Sequence, residues 1–356
     1  MLKLFKELKE DLKLVINMTV EGSNTLLFKA SEVGHKEIVN LLLANGADAR
    51  VHPVTKYSPL YIACYNGHKE IAELLLRKYP ELVQTPTVEK WFPSHGCCIQ
   101  GHHQVLDLLL KFPYPSSILK KYIDNKTGNY EYELPFDINA KDVSGQTVLY
   151  IAAYMGSLKM VEIILKYRVK GKMLKSCEST TQSLSGAESI TAKKRISDSI
   201  HALMSRLNVN LKTDTATPAG NVNQTLSPVD VDIYCDHGTQ TALHIAVKNK
   251  NFAIASLILV AGGNPNLTIY LNEEELSKLR SRTALDEYVF TGSTVLVEAV
   301  RHRDMGMIDL LLKHGARDVE SKALYVAVQA KDDIITGKLL ALKSHIDREK
   351  SGENVQ

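Results

Sequence analysis

The chain has no strong excess of charge, few cysteines and no long apolar run, and each absence excludes a class of protein. Its 43 basic and 40 acidic residues leave a net charge of +3 over 356 residues, which is too small to indicate a nucleic-acid or membrane partner. The five cysteines are odd in number and irregularly spaced, which argues against a disulfide framework. No run of eighteen apolar residues occurs, so we expect no membrane span.

The sequence also lacks targeting and catalytic motifs. Charges are scattered through the N-terminal residues from Met1 to Glu10, which is not typical of a secretory signal peptide. No P-loop, G-x-S-x-G or H-E-x-x-H motif is present, so we predict neither enzymatic activity nor a cofactor. Together these features predict a reduced, intracellular and cytoplasmic protein.

What the chain does contain is a repeat of 33 residues. The segment from Thr25 through Gly34 is matched by the segment from Ser58 through Gly67, and each is followed by an apolar helical run. This pattern resembles the ankyrin repeat, whose template is T-P-L-H-x-A-A, then G-H, then an apolar helix and G-A-D. Ser58 can cap the first helix, Pro59 suits the first helical position, and Gly67 suits a left-handed turn.

Further copies of the template follow along the chain. They begin at Phe92, Thr147, Thr241 and Thr294, with a degraded seventh copy from Ala323 that suits a C-terminal cap. The resemblance implies an all-α ankyrin-repeat solenoid of helix-turn-helix pairs with β-hairpin tips, and the spacing of the copies indicates that three insertions interrupt it. Repeats 1–4 are called the first block below, and repeats 5–7 the second block.

The copies and gaps define five regions. They are an N-terminal capping helix (1–20), repeats 1–4 (21–167, with an insertion at about 113–134), a Ser/Thr-rich flexible insertion (168–228), repeats 5–7 (229–342) and a polar C-terminal tail (343–356). The third insertion holds Glu273 to Arg282. The long insertion has the composition of a disordered loop, with one helical piece near Ile196 to Leu207; two hidden repeats are the alternative.

Two groups of residues resemble catalytic or metal sites. His95, Cys97, Cys98, His102 and His103 have the residue types of a zinc site, but their spacing fits one poorly, and they occupy the template's histidine and alanine positions. The tripeptide His302-Arg-Asp304 matches the kinase catalytic loop, but no D-F-G motif or glycine-rich loop accompanies it. We therefore predict no metal site and no catalytic residue.

The predicted function is protein binding through the concave groove of an ankyrin solenoid. In ankyrin folds, the position before the Ser/Thr cap and those seven or eight residues after it line this groove. We call this set the predicted groove; it consists of Tyr57, Tyr65, Asn66, Trp91, Gln100, Tyr154, Met155, Lys248, Arg301 and His302. Tyrosine and tryptophan dominate binding hot spots, which favours the first block as the binding region. The alternative is that these aromatics are scattered or pack under the insertions.

Two further alternatives remain open. The segment from Thr291 to Ser344 resembles the ankyrin region of metazoan leucine-rich-repeat Roco kinases, which implies a regulatory N-terminal portion, or a fragment, of such a kinase. A small-ligand sensor is the other alternative, supported only by Lys248, Arg301 and His302. Thr217 and Ser227, each followed by proline, are candidate phosphorylation sites.

Overall fold

The computed structural model describes residues 16–20, 24–49, 51–123, 130–173, 224–269 and 292–351. The chain divides into two compact units. The larger comprises Met1–Lys120, Leu134–Val169 and Ser227–Gln356, and the smaller comprises Lys121–Glu133 and Lys170–Leu226. The predicted N-terminal capping helix falls largely outside the described residues, as do the helical piece near Ile196 and the insertion from Glu273 to Arg282.

In the part of the larger unit that the structure describes, there are seven consecutive helix pairs, one for each predicted repeat. The pairs are α1 (Leu26–Val33) with α2 (Lys36–Ala44), α3 (Pro59–Tyr65) with α4 (Lys69–Lys78), α5 (Pro93–Gln100) with α6 (His103–Lys111), α7 (Val148–Tyr154) with α8 (Leu158–Lys166), α9 (Ala242–Lys248) with α10 (Phe252–Val260), α11 (Val295–Arg301) with α12 (Met305–Lys313), and α13 (Lys322–Gln329) with α14 (Asp333–Ser351). The chain therefore has the ankyrin-repeat solenoid fold that the spacing predicts.

In repeats 1, 2 and 4 the first helix begins directly after the predicted capping residue. The hydroxyl oxygens of Thr25, Ser58 and Thr147 accept hydrogen bonds from backbone amides three residues later, at 3.1, 3.0 and 3.3 Å. These bonds satisfy amides that have no partner within the helix. Pro59 and Pro93 occupy the first helical position, where the missing amide hydrogen has no cost.

The hydrophobic core runs along the row of repeats. Each first helix packs against the next one, from α1 through α13, and the second helices from α2 through α12 form a parallel row. Small residues such as Ala63 and Ala152 are fully buried and allow the helices to approach closely. Large residues such as Leu75 and Ile164 are also fully buried, and each contributes roughly 1.5–3 kcal/mol relative to exposure.

Backbone hydrogen bonds join the loop tips of neighbouring repeats. The amide of Val88 donates to Thr55 O (3.1 Å), that of Val143 to Glu89 O (3.0 Å), and that of His237 to Ser144 O (3.0 Å). We call this series the tip ladder. It links repeats 2, 3, 4 and 5, so it continues across both of the insertions that separate them.

Among the described residues, six short strands lie outside the helix pairs. β1 (Thr19–Val20) and β2 (Asn24–Thr25) form a hairpin before the first repeat. β3 (Lys120–Ile123), β4 (Tyr130–Leu134), β5 (Val169–Met173) and β6 (Gln224–Leu226) form one sheet in that order, with β4 and β5 antiparallel.

This sheet differs from the sequence prediction, which treats 113–134 and 168–228 as insertions without strands. The alternation of Tyr130, Tyr132 and Leu134 with glutamates has the two-residue period of a strand. The aromatic rings of Tyr122 and Tyr132 stack at 6.0 Å.

The C-terminal helix α14 continues to Ser351, although the sequence prediction places a polar tail from residue 343. No glycine or proline interrupts the chain between Leu342 and Ser351, and the residues there tolerate a helix. No helix in the described ranges is long and apolar enough to cross a membrane.

Candidate functional site

The predicted groove contains exposed and half-buried residues. Tyr154 and Met155 are 59% and 52% exposed at the end of α7, and Gln100 and Lys248 are exposed at the ends of α5 and α9. The remaining members are half-buried: Tyr57, Tyr65, Asn66, Trp91, Arg301 and His302. The exposed members are available to a partner, whereas the half-buried ones also contact the solenoid.

Three tyrosines pack together along α3, one of them just before the helix begins. The Tyr57 and Tyr61 ring centroids are 4.8 Å apart, and those of Tyr61 and Tyr65 are 6.1 Å apart. Tyr61 is only 1% exposed and was not in the predicted groove. A Cβ atom at Gly96 would lie 3.2 Å from the Tyr61 ring, so the glycine leaves room for it. We call Tyr57, Tyr61 and Tyr65 the tyrosine cluster.

Trp91 has a structural contact that the sequence could not show. Its indole N–H donates to Asp142 Oδ2 at 3.1 Å, which joins repeat 3 to repeat 4. Asp142 is 8% exposed, and its Oδ1 accepts the backbone amide of Gln146 at 2.8 Å. Replacing Trp91 would therefore leave a buried carboxylate oxygen without its donor.

Asn66 also connects two repeats. Its side-chain amide donates to Glu32 O at 2.9 Å, and His68 Nε2 lies 3.1 Å from the same oxygen. This bond fixes Asn66 against repeat 1, so its amide is engaged before any partner binds.

The basic members of the predicted groove in the second block are paired with an acid. Arg301 and His302 lie 3.1 and 3.2 Å from the two oxygens of Glu298, and all three side chains are largely buried. Lys248 is exposed on the preceding repeat. Because the carboxylate of Glu298 balances the positive charge of Arg301, the three basic residues of the second block offer little support for an anion-binding sensor site.

Glu89 is a residue that the sequence prediction missed. It lies in the tip of repeat 3, is half-buried, and has its Oε2 atom buried without a hydrogen-bond partner among the described residues. Burial raises the pKa of Tyr57, and the nearby Glu89 carboxylate raises it further. The only sequence signal was an acidic residue two positions before Trp91.

Three of the five members of the histidine and cysteine group of repeat 3 lie in the core. His95, Cys97 and Cys98 have no exposed surface, and His95 Nδ1 accepts the Phe92 amide at 3.3 Å. Burial lowers the pKa of His95 to about 4 and raises the pKa of both thiols. Among the described residues, no group of three His, Cys, Asp or Glu side chains is arranged to hold a metal ion.

The His302-Arg-Asp tripeptide forms a turn between helices. Arg303 has a positive φ of 51°, and Asp304 Oδ1 accepts the amide of Met307 at 3.0 Å, which caps α12. The carboxylate of Asp304 is thus used for helix capping.

An open cavity of about 760 Å³ lies along the second helices α4, α6 and α8. Lys69, Lys111, Lys159, Lys166 and Arg168 line it together with Asp107 and Glu162. Lys111 pairs with Asp107 at 2.7 Å, and Lys159 and Lys166 both lie 3.4 Å from Glu162. These pairs compensate much of the positive charge.

Of the two candidate phosphorylation sites, Ser227 is exposed and precedes the buried Pro228. Thr217 lies outside the described residues. Both sites remain predictions.

Comparisons with known proteins agree with this architecture. A family model described as ankyrin repeats (3 copies) matches residues 2–85, and the single ankyrin repeat model matches residues 240–269. The crystal structure of the ankyrin repeat domain of Bcl-3 superposes with a TM-score of 0.50 at 16% sequence identity. The match covers 84% of this chain and 89% of that one.

A longer relative is the leucine-rich repeat serine/threonine-protein kinase 1 of Caenorhabditis elegans. It is 26% identical over 329 residues, which is 92% of this chain and 11% of the kinase. This chain therefore spans about a tenth of the length of that relative. The predicted resemblance to the ankyrin region of leucine-rich-repeat kinases is confirmed at this level of identity.

Proposed function

We propose that this ankyrin-repeat chain is a scaffold that binds a partner protein through the predicted groove of its first block. Ankyrin repeats are generally protein-interaction modules, and their fold supplies a rigid surface rather than a reaction centre. We accordingly propose no enzymatic activity for the chain itself and a protein partner rather than a nucleic acid. Four described cysteines are buried free thiols, which supports a cytoplasmic location.

The exposed pair Tyr154 and Met155 carries the proposal. A tyrosine and a methionine lie side by side at the end of α7, and each leaves more than half of its surface exposed to solvent. Both residue types are enriched at protein interfaces. The half-buried Tyr57, Tyr65 and Trp91 belong to the same row of first helices and tips, so they extend this aromatic surface over repeats 2 to 4.

Site-specific photo-cross-linking tests the proposal. A benzophenone amino acid at position 154 should cross-link one partner reproducibly in cells. The same amino acid at Leu41, which is 63% exposed on the second helix of repeat 1, should not. With that partner purified, Tyr154→Ala should weaken its binding by about tenfold or more, because hot-spot truncations commonly cost about 2 kcal/mol. Equal cross-linking from both positions would contradict groove binding.

The second candidate function is a regulatory region of a multidomain leucine-rich-repeat kinase. The relation to the nematode kinase over 92% of this chain favours it. Long-read sequencing of the transcript tests it. An open reading frame that continues past Gln356 into leucine-rich repeats supports the kinase, whereas a stop codon directly after Gln356 supports the separate scaffold.

A further inference from the structure

Glu89 lies beside the tyrosine cluster because the tip ladder holds it there. The amide of Val88 donates to Thr55 O at 3.1 Å, two residues before Tyr57. The carbonyl of Glu89 accepts the amide of Val143 at 3.0 Å. The backbone of Glu89 is therefore fixed between the tips of repeats 2 and 4.

The Glu89 carboxylate lacks a donor that its surroundings require. Its Oε2 atom is buried and has no hydrogen-bond partner among the described residues, and the same is true of the Tyr61 hydroxyl. Taking a carboxylate oxygen out of water without a donor is unfavourable, so such groups are rare in folded proteins. The neighbouring Asp142 is different, because both of its oxygens accept hydrogen bonds. Glu89 is thus the acid in this region with an unused acceptor.

We propose that Glu89 and the tyrosine cluster together bind an arginine side chain of the partner protein. This inference rests on the proposed scaffold function and names the chemistry that the partner must present. A guanidinium group supplies several N–H donors for a carboxylate and stacks its flat face on an aromatic ring. A cation over a tyrosine ring gains further electrostatic attraction. Lysine provides the charge without the planar donors, so it fits less well.

The tyrosine cluster suits this ligand for two reasons. The rings of Tyr57 and Tyr65 flank the buried Tyr61 and are themselves half-exposed, so they can meet a partner side chain. Burial and the Glu89 charge both raise the pKa of Tyr57, so its hydroxyl stays neutral. The site therefore presents neutral aromatic surface beside one carboxylate.

Three peptide libraries that differ only at one fixed central residue test the proposal. The residue is arginine, lysine or citrulline, and citrulline has the shape of arginine without its charge. The full chain should retain the arginine library about tenfold more than the citrulline library, with lysine in between. Glu89→Gln should reduce the arginine preference to about twofold or less. Tyr57→Leu should also reduce it, whereas Tyr57→Phe, which keeps the ring, should retain it.

Circular dichroism melting of each variant separates loss of binding from loss of folding. If the citrulline library binds as well as the arginine library, the proposal is overturned. Unchanged arginine preference in folded Glu89→Gln and Tyr57→Leu also overturns it. If Tyr154→Ala weakens capture of the cross-linked partner while Glu89→Gln does not, groove binding stands and only the arginine site fails. If neither variant weakens capture, both proposals fail.

Discussion

The two blocks build the turn between the helices of a repeat in different ways. In the first block this turn has a glycine with positive φ, at Gly34, Gly67, Gly101 and Gly156. In the second block a charged residue adopts positive φ instead, at Lys250, Arg303 and Lys331. The following residue differs too: Asn251, Asp304 and Asp332 cap their second helix through the side chain, whereas His35, His68 and His102 do not.

The difference shows which contacts stabilise the turn in each block. A Cβ atom at Gly34 would lie 2.6 Å from the ring of His68, and one at Gly67 would lie 2.5 Å from the ring of His102. In repeats 1 to 3 the histidine of one repeat therefore packs over the glycine of the preceding one. In repeats 5 to 7 the Asn or Asp satisfies an amide of its own repeat. The first block gains coupling between repeats, and the second block gains stability within each repeat.

The largest expected effect concerns a buried histidine that occupies the same repeat position in both blocks. Burial lowers the pKa of His95 and of His244 to about 4, against 6.5 for an ordinary histidine. Between these values the unfolded chain binds more protons than the folded one, so stability falls as pH drops from 6.5 towards 4. The loss should reach roughly 3 kcal/mol per histidine.

Urea unfolding at several pH values between 7.5 and 4 measures this effect. His95→Gln and His244→Gln should each flatten the pH dependence, whatever they do to stability at pH 7.5. A wild-type profile without slope in this range would contradict the prediction for both blocks.

The next prediction concerns a substitution that disrupts the packing between repeats of the first block. Gly67→Ala should destabilise the chain by about 3 kcal/mol, because it adds strain of about 1 kcal/mol at positive φ and a clash with His102. Gly101→Ala should cost only about 1 kcal/mol, since no atom lies within 4 Å of its Cβ position. Chemical denaturation of both variants measures the difference.

A double variant isolates the clash. Adding His102→Ala to Gly67→Ala should recover the clash energy but not the backbone strain. If Gly67→Ala and Gly101→Ala destabilise equally, the packing of histidine over glycine contributes nothing.

The smallest effect tests capping in the second block. Asp304→Ala should destabilise by about 1 kcal/mol, because the Met307 amide loses its acceptor. Ser157→Ala is the matched change in the first block, where the serine makes no side-chain cap bond, and it should be nearly neutral. Thermal unfolding compares them, and equal losses would show that capping does not distinguish the blocks.

The repeat register was predictable from sequence because local chemistry fixes it. The caps at Thr25, Ser58 and Thr147, and the turn at Gly67, each depend on residues within three or four positions. The candidate site was predictable only in part. Tyr154 and Met155 are exposed as a groove position requires, although partner binding there remains a prediction.

Other features depend on contacts that spacing cannot reveal. Trp91 donates to Asp142, which lies 51 residues away on the other side of an insertion. Glu89 was missed because its role depends on an acceptor left without a donor, which only the surrounding structure shows. The pairings of β4 with β5 and of β5 with β6 join segments far apart in sequence, so these short strands carried little signal alone.

The tip ladder also determines where this chain tolerates changes in length. The amide of His237 donates to Ser144 O, Asn139 donates to Pro228 O, and Lys141 donates to Tyr234 O, so the segments that precede α7 and α9 are joined directly. With repeats 4 and 5 held together in this way, each doubling of the length of the insertion between them costs only about 0.6 kcal/mol in closure entropy. We therefore expect changes in the length of the chain between β5 and β6 to leave the register of the solenoid unchanged.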